Sequence, residues 1–142
     1  MGLSGAGKTT LAKALAKILN AVHFNADEIR KEINKDLKFT LKDRVEQARR
    51  MRVLCDIVAR SGNYSIADFV CPTKQTQEAF GTDNTHVVWV DRIKTGRHED
   101  TNKIFYPPDH FDTRVSEEGS PEVWALLIAK KLEIEQSYGD AI

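Results

Sequence analysis

The chain has 142 residues, of which 41% are hydrophobic and 30% are charged, a composition typical of one globular domain. Lysine and arginine number 21, and aspartate and glutamate also number 21, so the formal net charge is zero. This balance argues against nucleic acid or a membrane surface as the partner, because both favour a basic excess. The two cysteines have no metal-binding spacing, which predicts a protein of the reducing cytoplasm. No apolar run approaches the ~18 residues that a membrane span needs, so none is predicted.

Helix-like and strand-like segments alternate along the chain, which predicts an α/β fold with a mainly parallel sheet. Amphipathic spacing predicts helices over 8–19, 26–34, 41–61, 72–80 and 120–137. Short apolar or alternating runs predict strands over 21–25, 63–68, 86–91 and 111–116. The polar segment 92–110, with two consecutive prolines, is predicted to be a long loop.

Residues 2–9 read GLSGAGKT and match the phosphate-binding loop pattern GxxxxGK[ST], the P-loop. Glycines let such a loop curl so that backbone N–H groups face phosphate oxygens, and the next helix adds its positive N-terminal end. Lys8 is predicted to neutralise the β- and γ-phosphates of ATP, and the Thr9 hydroxyl to ligate Mg²⁺. The predicted nucleotide contacts are Ser4, Gly5, Ala6, Gly7, Lys8, Thr9 and Thr10.

The strand that normally precedes this motif is missing from the pattern, since only Met1 stands before the loop. Such a strand lies in the middle of the sheet and holds the loop in place. We therefore expect a three-layer α/β/α P-loop NTPase fold that lacks most of its first strand. Two alternatives stay open: the sequence starts late, or another segment takes that place.

The residues after the loop bear on the kind of phosphate chemistry. No guanine-recognition motif of the NKxD type is present, which disfavours a GTPase, whereas small-molecule kinases are commonly of this size. Asp27 follows a predicted strand, at the sheet edge where ligands bind, and is a candidate for orienting Mg²⁺ water or accepting a hydroxyl proton. The alternative for Asp27 is a helix cap. Arg30 and Arg44 are candidates for clamping an anionic acceptor or are solvated, and Phe39 is either a core residue or a stacking platform.

The order of five segments resembles the adenylylsulfate kinase family over about residues 2–80: GLSGAGKTT (2–10), NADEIR (25–30), DLKFT (36–40), DRVEQARR (43–50) and FVCPT (69–73). That family transfers the γ-phosphoryl of ATP to the 3′-hydroxyl of adenosine 5′-phosphosulfate (APS) in sulfate assimilation. The resemblance implies that Asp27 lies near Mg²⁺ and the reacting hydroxyl and is catalytic together with Lys8. It also implies that Arg30 and Arg44 contact the acceptor, and that Phe39 stacks on the acceptor's adenine.

The resemblance further implies an adenine contact from the backbone of Val70. Gln47 and Cys71 stand where the family has asparagine and serine, and they are the remaining candidates for the acceptor site. Asp68 stands where the family has a small residue, so this extra carboxylate is either near Mg²⁺ or part of a turn at the strand end. The family often dimerises, which makes a homodimer an option here.

The largest departure from the family is the segment 92–110, where the family has a longer basic lid. We expect one kinase domain over 1–142 with a mobile lid over about 92–110, whose Arg97 covers the ATP phosphates; a solvated loop is the alternative. The leading hypothesis is an ATP-dependent kinase acting on APS. The others are a kinase for another small hydroxylated acceptor, and a nucleotide-binding protein with little turnover.

Overall fold

The computed structural model describes residues 1–116 and 119–140 of the chain. Its helices are α1 (Lys8–Leu19), α2 (Ala26–Glu32), α3 (Leu41–Arg60), α4 (Lys74–Phe80), α5 (Glu99–Ile104) and α6 (Pro121–Asp140). Its strands are β1 (Val22–Asn25), β2 (Ser65–Asp68), β3 (Val88–Val90) and β4 (Thr113–Val115). Every predicted helix and strand is present, with ends that differ by a few residues from those predicted.

The strands form two parallel pairs, β1 with β2 and β3 with β4. In the first pair, Asn25 and Asp68 are register partners, so both lie at the carboxyl end of their strands. Carboxyl ends of parallel strands form the edge at which α/β proteins bind ligands. The predicted α/β class with parallel strands is therefore confirmed, and the register places two polar side chains at the functional edge.

Met1 and Gly2 link the two strand pairs through their backbones. The Met1 amino group donates to the Val88 carbonyl (2.8 Å), and the Val90 N–H donates to the Met1 carbonyl (2.8 Å). On the other side, the Gly2 N–H donates to the Val70 carbonyl at 3.4 Å. Met1 and the first residue of the phosphate loop are thus bonded to β3 and to the segment that follows β2.

The helices enclose two apolar clusters. The larger joins α1 and α6 to β3 and β4 through Leu11, Leu15, Val90, Val115 and Ile128. The smaller joins α2 and α3 and is built on Ala26, Ile29 and Met51. Met51 is fully buried, and burial of a side chain of this size contributes about 1.5–3 kcal/mol. The first cluster includes Ala6 of the phosphate loop, so packing of the core also holds the loop.

The prediction of a continuous loop over 92–110 was wrong, because that segment contains α5. Glu99 and Asp100 lie in the first turn and Lys103 in the last, an arrangement that the helix dipole favours. Buried Thr101 anchors the helix to the rest of the protein. Six residues are too few for amphipathic spacing to be recognised in a sequence, which explains why the pattern predicted only a loop.

Helix α4 begins two residues later than predicted. Pro72 was expected inside the first turn, but Thr73 is the cap and its side chain accepts a hydrogen bond from the Thr76 N–H. The Thr76 side chain accepts in return from the Thr73 N–H, which completes a reciprocal capping pair. The helix therefore starts at Lys74 because the two threonines satisfy its first N–H groups.

Candidate active site

The phosphate loop contains glycines whose backbone has a positive φ angle. Gly5 (φ 86°) and Gly7 (φ 97°) both adopt left-handed conformations, which other residues adopt at a cost. Gly7 is the residue that precedes α1, and it has no side chain to cap the helix. The first N–H groups of α1 therefore lack both an intrahelical partner and a side-chain cap. Free N–H groups at the positive end of a helix form a binding site for phosphate.

Lys8 folds back over the loop. Its ammonium donates to the Leu3 carbonyl at 2.9 Å. Burial lowers the pKa of Lys8, while the negative charges of Asp68 and Asp27 act in the opposite direction. Both carboxylates are therefore close enough to Lys8 to interact with its charge.

Two arginines of the segment 92–110 lie beside the loop. A cavity of about 360 Å³ is lined by Gly5, Ala6, Gly7, Arg92 and Ile93. A Cβ atom built on Gly5 would lie 3.0 Å from Arg97 Nε, and one built on Gly7 would lie 3.4 Å from Arg92 Nη1. The Arg97 N–H also donates to the Ser4 carbonyl at 3.1 Å. This cavity combines loop backbone with positive charge, as a phosphate site requires.

A cluster of four polar side chains lies where α1 meets the ends of β1 and β2. The Thr9 hydroxyl donates to Asp68 Oδ2 at 2.7 Å. Asn25 Nδ2 donates to the same oxygen at 2.9 Å and lies 3.2 Å from Thr9 Oγ1. His23 Nε2 is 3.1 Å from that oxygen as well. Asp68 thus fixes the orientation of the Thr9 hydroxyl, the group predicted to ligate Mg²⁺.

The protonation state of Asp68 follows from these contacts. Burial acts to raise its pKa, but the hydrogen bonds from His23, Asn25 and Thr9 together hold that pKa below its usual value. Its second oxygen, Oδ1, is buried and has no hydrogen-bond partner among the described residues. Asp68 is therefore an ionised carboxylate that uses one oxygen to bind three side chains, while its other oxygen is buried and unpartnered in the described structure.

Asp27 is solvent-exposed in the first turn of α2. The residue that caps this helix is Asn25, whose side chain accepts from the Glu28 N–H at 3.1 Å. The capping alternative for Asp27 is therefore wrong, and its carboxylate is free of that role. Its charge acts on Lys8 and on Arg30, so Asp27 lies within electrostatic range of both cations. Thr10, the last predicted loop contact, is exposed.

Phe39 is exposed rather than packed in the core, with 59% of its surface accessible. The Arg30 guanidinium lies 4.7 Å from the centroid of its ring, and the Arg44 guanidinium 5.4 Å from the same centroid. Arg44 Nε donates to the Phe39 carbonyl at 2.9 Å. Arg30 Nε is buried without a hydrogen-bond partner in the described structure, and burial lowers the pKa of Arg30. An aromatic face with two adjoining cations suits a planar, anionic molecule.

Three other predicted acceptor residues point elsewhere. Gln47 is 1% exposed, and its amide bonds Asn34 Nδ2 (2.8 Å) and the Ala26 carbonyl (3.2 Å). Cys71 is buried, and burial raises the pKa of its thiol to about 11. Val70 is half-buried and its carbonyl accepts from Gly2. The structure thus joins Gln47 and Cys71 to the interior and not to the exposed ring.

Sequence reasoning missed part of this site. His23 and Asn25 were not among the candidates, although alternation along β1 and its polar C-terminal residue were a usable signal. Asp68 was weighed but not assigned to the site. Asp100, which lies 3.1 Å from Arg44 Nη2, carried no local signal at all because the contact spans 56 residues.

Within the described residues, no group of three or more His, Cys, Asp or Glu side chains is placed to hold a metal ion. Mg²⁺ does not require such a group, since it is usually bound through one or two carboxylates, substrate phosphates and water. No helix in residues 1–116 and 119–140 is long and apolar enough to cross a membrane.

Parallel strands, a glycine loop opening a helix and cations over that loop define a P-loop kinase fold. The structure of the Mycobacterium tuberculosis APS kinase CysC, solved with AMPPNP and APS, has this fold, with a TM-score of 0.79 over 94% of each chain at 20% identity. The family model for adenylylsulphate kinase matches residues 1–94. This chain belongs to the adenylylsulphate kinase family, whose members are ATP-dependent phosphotransferases.

Two relatives show how much of the chain is similar. Adenylyl-sulfate kinase 3 of Arabidopsis thaliana is 37% identical over 83 residues, which cover 55% of this chain and 40% of the relative. The bifunctional enzyme CysN/CysC of Xylella fastidiosa is 28% identical over 94% of this chain but only 26% of the relative. The chain therefore spans less than half the length of these relatives.

Proposed function

We propose that this protein is an ATP-dependent kinase that transfers the γ-phosphoryl of ATP to the 3′-hydroxyl of APS. The observation that carries the proposal is the exposed Phe39 ring, which has the Arg30 and Arg44 guanidinium groups 4.7 and 5.4 Å from its centroid. The charge of Asp27 acts both on Lys8 of the phosphate loop and on Arg30 beside that ring. A carboxylate that interacts with cations of both sites is suited to orient an acceptor hydroxyl towards a donor phosphate.

Each group has a role in this reaction. The N–H groups at the start of α1 and the Lys8 ammonium hold the donor phosphates, while Arg92 and Arg97 add positive charge where negative charge develops. Asp27 orients the acceptor hydroxyl and takes its proton. In this proposal residues 1–142 form one kinase domain with segment 92–110 as its lid.

The acceptor would lie on Phe39, with its adenine stacked on the exposed face and its anionic groups at Arg30 and Arg44. The unpartnered Arg30 Nε supplies a donor that a ligand anion would satisfy. Leaving a buried donor unpaired costs about 1–3 kcal/mol, so this atom favours the bound state.

The residues present also fit Mg²⁺. The Thr9 hydroxyl donates a hydrogen bond to Asp68 and accepts one from Asn25, which leaves one oxygen lone pair for a cation. The exposed Asp27 carboxylate is the second candidate ligand. When bound, Mg²⁺ would neutralise phosphate charge. Cytoplasmic location and a homodimer remain predictions.

A second candidate keeps the chemistry but changes the acceptor. The Gln47 amide makes hydrogen bonds within the protein interior, and Cys71 is buried. Two residues that the resemblance implies for the acceptor site therefore do not contact the Phe39 ring. A smaller hydroxylated anion would need only Arg30, Arg44 and Asp27. Comparing APS with other small anionic alcohols as acceptors separates the two candidates.

The test is coupled ATP turnover with APS in three proteins: wild type, Lys8→Ala and Lys13→Ala. Lys13 is an exposed lysine of the same helix and makes a matched control. We expect APS-dependent turnover that Lys13→Ala retains and Lys8→Ala loses by more than about 100-fold. ATP binding without turnover on APS would reject the proposal and favour the second candidate.

A second pair of variants tests the stacking platform. Phe39→Leu should raise the KM for APS about 5- to 150-fold, because stacking on a base contributes ~1–3 kcal/mol. Phe111→Leu is the control, since Phe111 is also partly exposed but packs against Trp89 with ring centroids 5.5 Å apart. Equal KM values for APS in the two variants would show that APS does not stack on Phe39.

A further inference from the structure

Asp100 of α5 contacts the acceptor side of the site. Its Oδ2 lies 3.1 Å from Arg44 Nη2. The Arg44 side chain is 9% exposed, whereas that of Asp100 is 69% exposed. The pair therefore joins a nearly buried cation to a carboxylate that faces solvent. Of the two partners, Asp100 is the one that regains water most easily when the contact breaks.

The backbone around α5 holds Asp100 in this position. Before the helix, the Arg97 N–H is bonded to Ser4 of the phosphate loop. Asn102 receives a bond from the Gly96 N–H (2.7 Å) and donates to the Gly96 carbonyl (3.0 Å). After the helix, the Tyr106 N–H donates to the Pro72 carbonyl at 2.6 Å. The segment is thus attached at both ends, and its middle reaches Arg44.

The position that Asp100 occupies is one that an anionic acceptor needs. Arg44 uses Nε for the Phe39 carbonyl, and its Nη2 is directed to Asp100. Arg30 lies over the same ring, so two like charges share one aromatic face. A nearly buried guanidinium requires an anionic partner, and Asp100 supplies it when no acceptor is present.

We propose that Asp100 competes with the acceptor for Arg44, so that binding of an anionic acceptor releases the Asp100–Arg44 ion pair and loosens α5. This inference rests on the proposed function, because it takes the Phe39 face as the acceptor site. It makes Asp100 a residue that sets acceptor affinity. It also couples acceptor entry to the segment bonded to the phosphate loop at Ser4.

The chain offers a matched control for this proposal. Glu99 lies beside Asp100 in the first turn of α5 but pairs with Lys103 (3.2 Å), and both of those side chains are exposed. Asp100→Asn and Glu99→Gln each remove one negative charge from the same helix turn, and only the first removes the ion pair with Arg44.

The experiment measures the dissociation constant of APS by titration calorimetry at low salt in wild type and both variants. Asp100→Asn should bind APS about two- to five-fold more tightly, since that is the strength of a largely exposed ion pair, while Glu99→Gln should match wild type. The gain should shrink as salt is added. Equal affinities, or weaker binding by Asp100→Asn, would overturn the proposal.

A ligand-free measurement separates this proposal from the choice of APS. The NMR signal of Arg44 Nε–H, assigned by its loss in Arg44→Lys, should shift in Asp100→Asn and stay in place in Glu99→Gln. If wild type binds no APS but this shift occurs, the result supports the Asp100–Arg44 ion pair and rejects APS as the acceptor. If Asp100→Asn leaves the signal unmoved, Asp100 does not hold Arg44 and the inference is rejected.

Discussion

Replacing Asp68 should destabilise the protein more than any surface carboxylate does. Its Oδ2 accepts from Thr9 (2.7 Å) and Asn25 (2.9 Å) and contacts His23 (3.1 Å), with the Asp68 side chain only 2% exposed. Hydrogen bonds to a charged group contribute about 1.5–3 kcal/mol each. The Thr9 hydroxyl can turn to another acceptor and the half-buried His23 can reach water, so the bonds do not add fully. We expect Asp68→Ala to cost about 2–4 kcal/mol.

The assay is urea unfolding at pH 7, followed by circular dichroism, with a thermal melt as a second measurement. For a chain of this length the expected loss corresponds to a Tm lower by about 7–13 °C. Asp68→Asn keeps one acceptor oxygen and should cost about 1–2 kcal/mol. Asp56→Ala is the control, since Asp56 is partly exposed and makes a single ion pair within its own helix, with Arg52, so its loss should cost less than about 1 kcal/mol. If Asp68→Ala were no more costly than Asp56→Ala, the assignment of Asp68 as the organising carboxylate would be refuted.

Three further predictions concern groups away from the reacting atoms. With a pKa of about 11, the Cys71 thiol should resist iodoacetamide at pH 8 in the native protein and react after denaturation, as followed by mass spectrometry; rapid native labelling would contradict its burial. Bonds from Arg49 and Arg50 lower the pKa of Glu46 to about 2, so its stabilisation is present above about pH 4.5 and lost as the pH falls towards 2. Glu46→Gln should weaken this acid dependence in urea titrations at pH 5 and pH 3, and an unchanged dependence would argue against it. Gln47→Leu should cost about 1–3 kcal/mol in urea unfolding because it removes the acceptor of the buried Asn34 Nδ2, and a neutral result would mean that water replaces the amide.

The phosphate loop was predictable because its chemistry is local. Left-handed glycines, a lysine and a hydroxyl must follow one another at fixed spacing, so residues 2–9 alone indicate the loop and the helix that follows. Parallel strands and helices were also predictable, since alternation and amphipathic spacing repeat within short windows.

Contacts between distant segments were not predictable in the same way. The Asp68 cluster joins residues 9, 23, 25 and 68, and only the parallel register of β1 and β2 brings them to one edge. Gln47 looked like a ligand contact in the pattern, but its amide completes hydrogen bonds in the interior. Short α5 was missed because burial of Thr101 and ties to distant residues stabilise it, not a local helix pattern.

The sequence by itself determined that the chain carries a phosphate-loop motif in an α/β fold. The loop and the helix that follows it depend only on neighbouring residues. Tertiary structure decided what surrounds that loop. Phe39 faces solvent under Arg30 and Arg44, and Asp100 reaches Arg44 across 56 residues, because the packing of α2, α3 and α5 sets those distances. A motif fixes the order of atoms along the chain, whereas a site with two substrates depends on which segments the fold brings together.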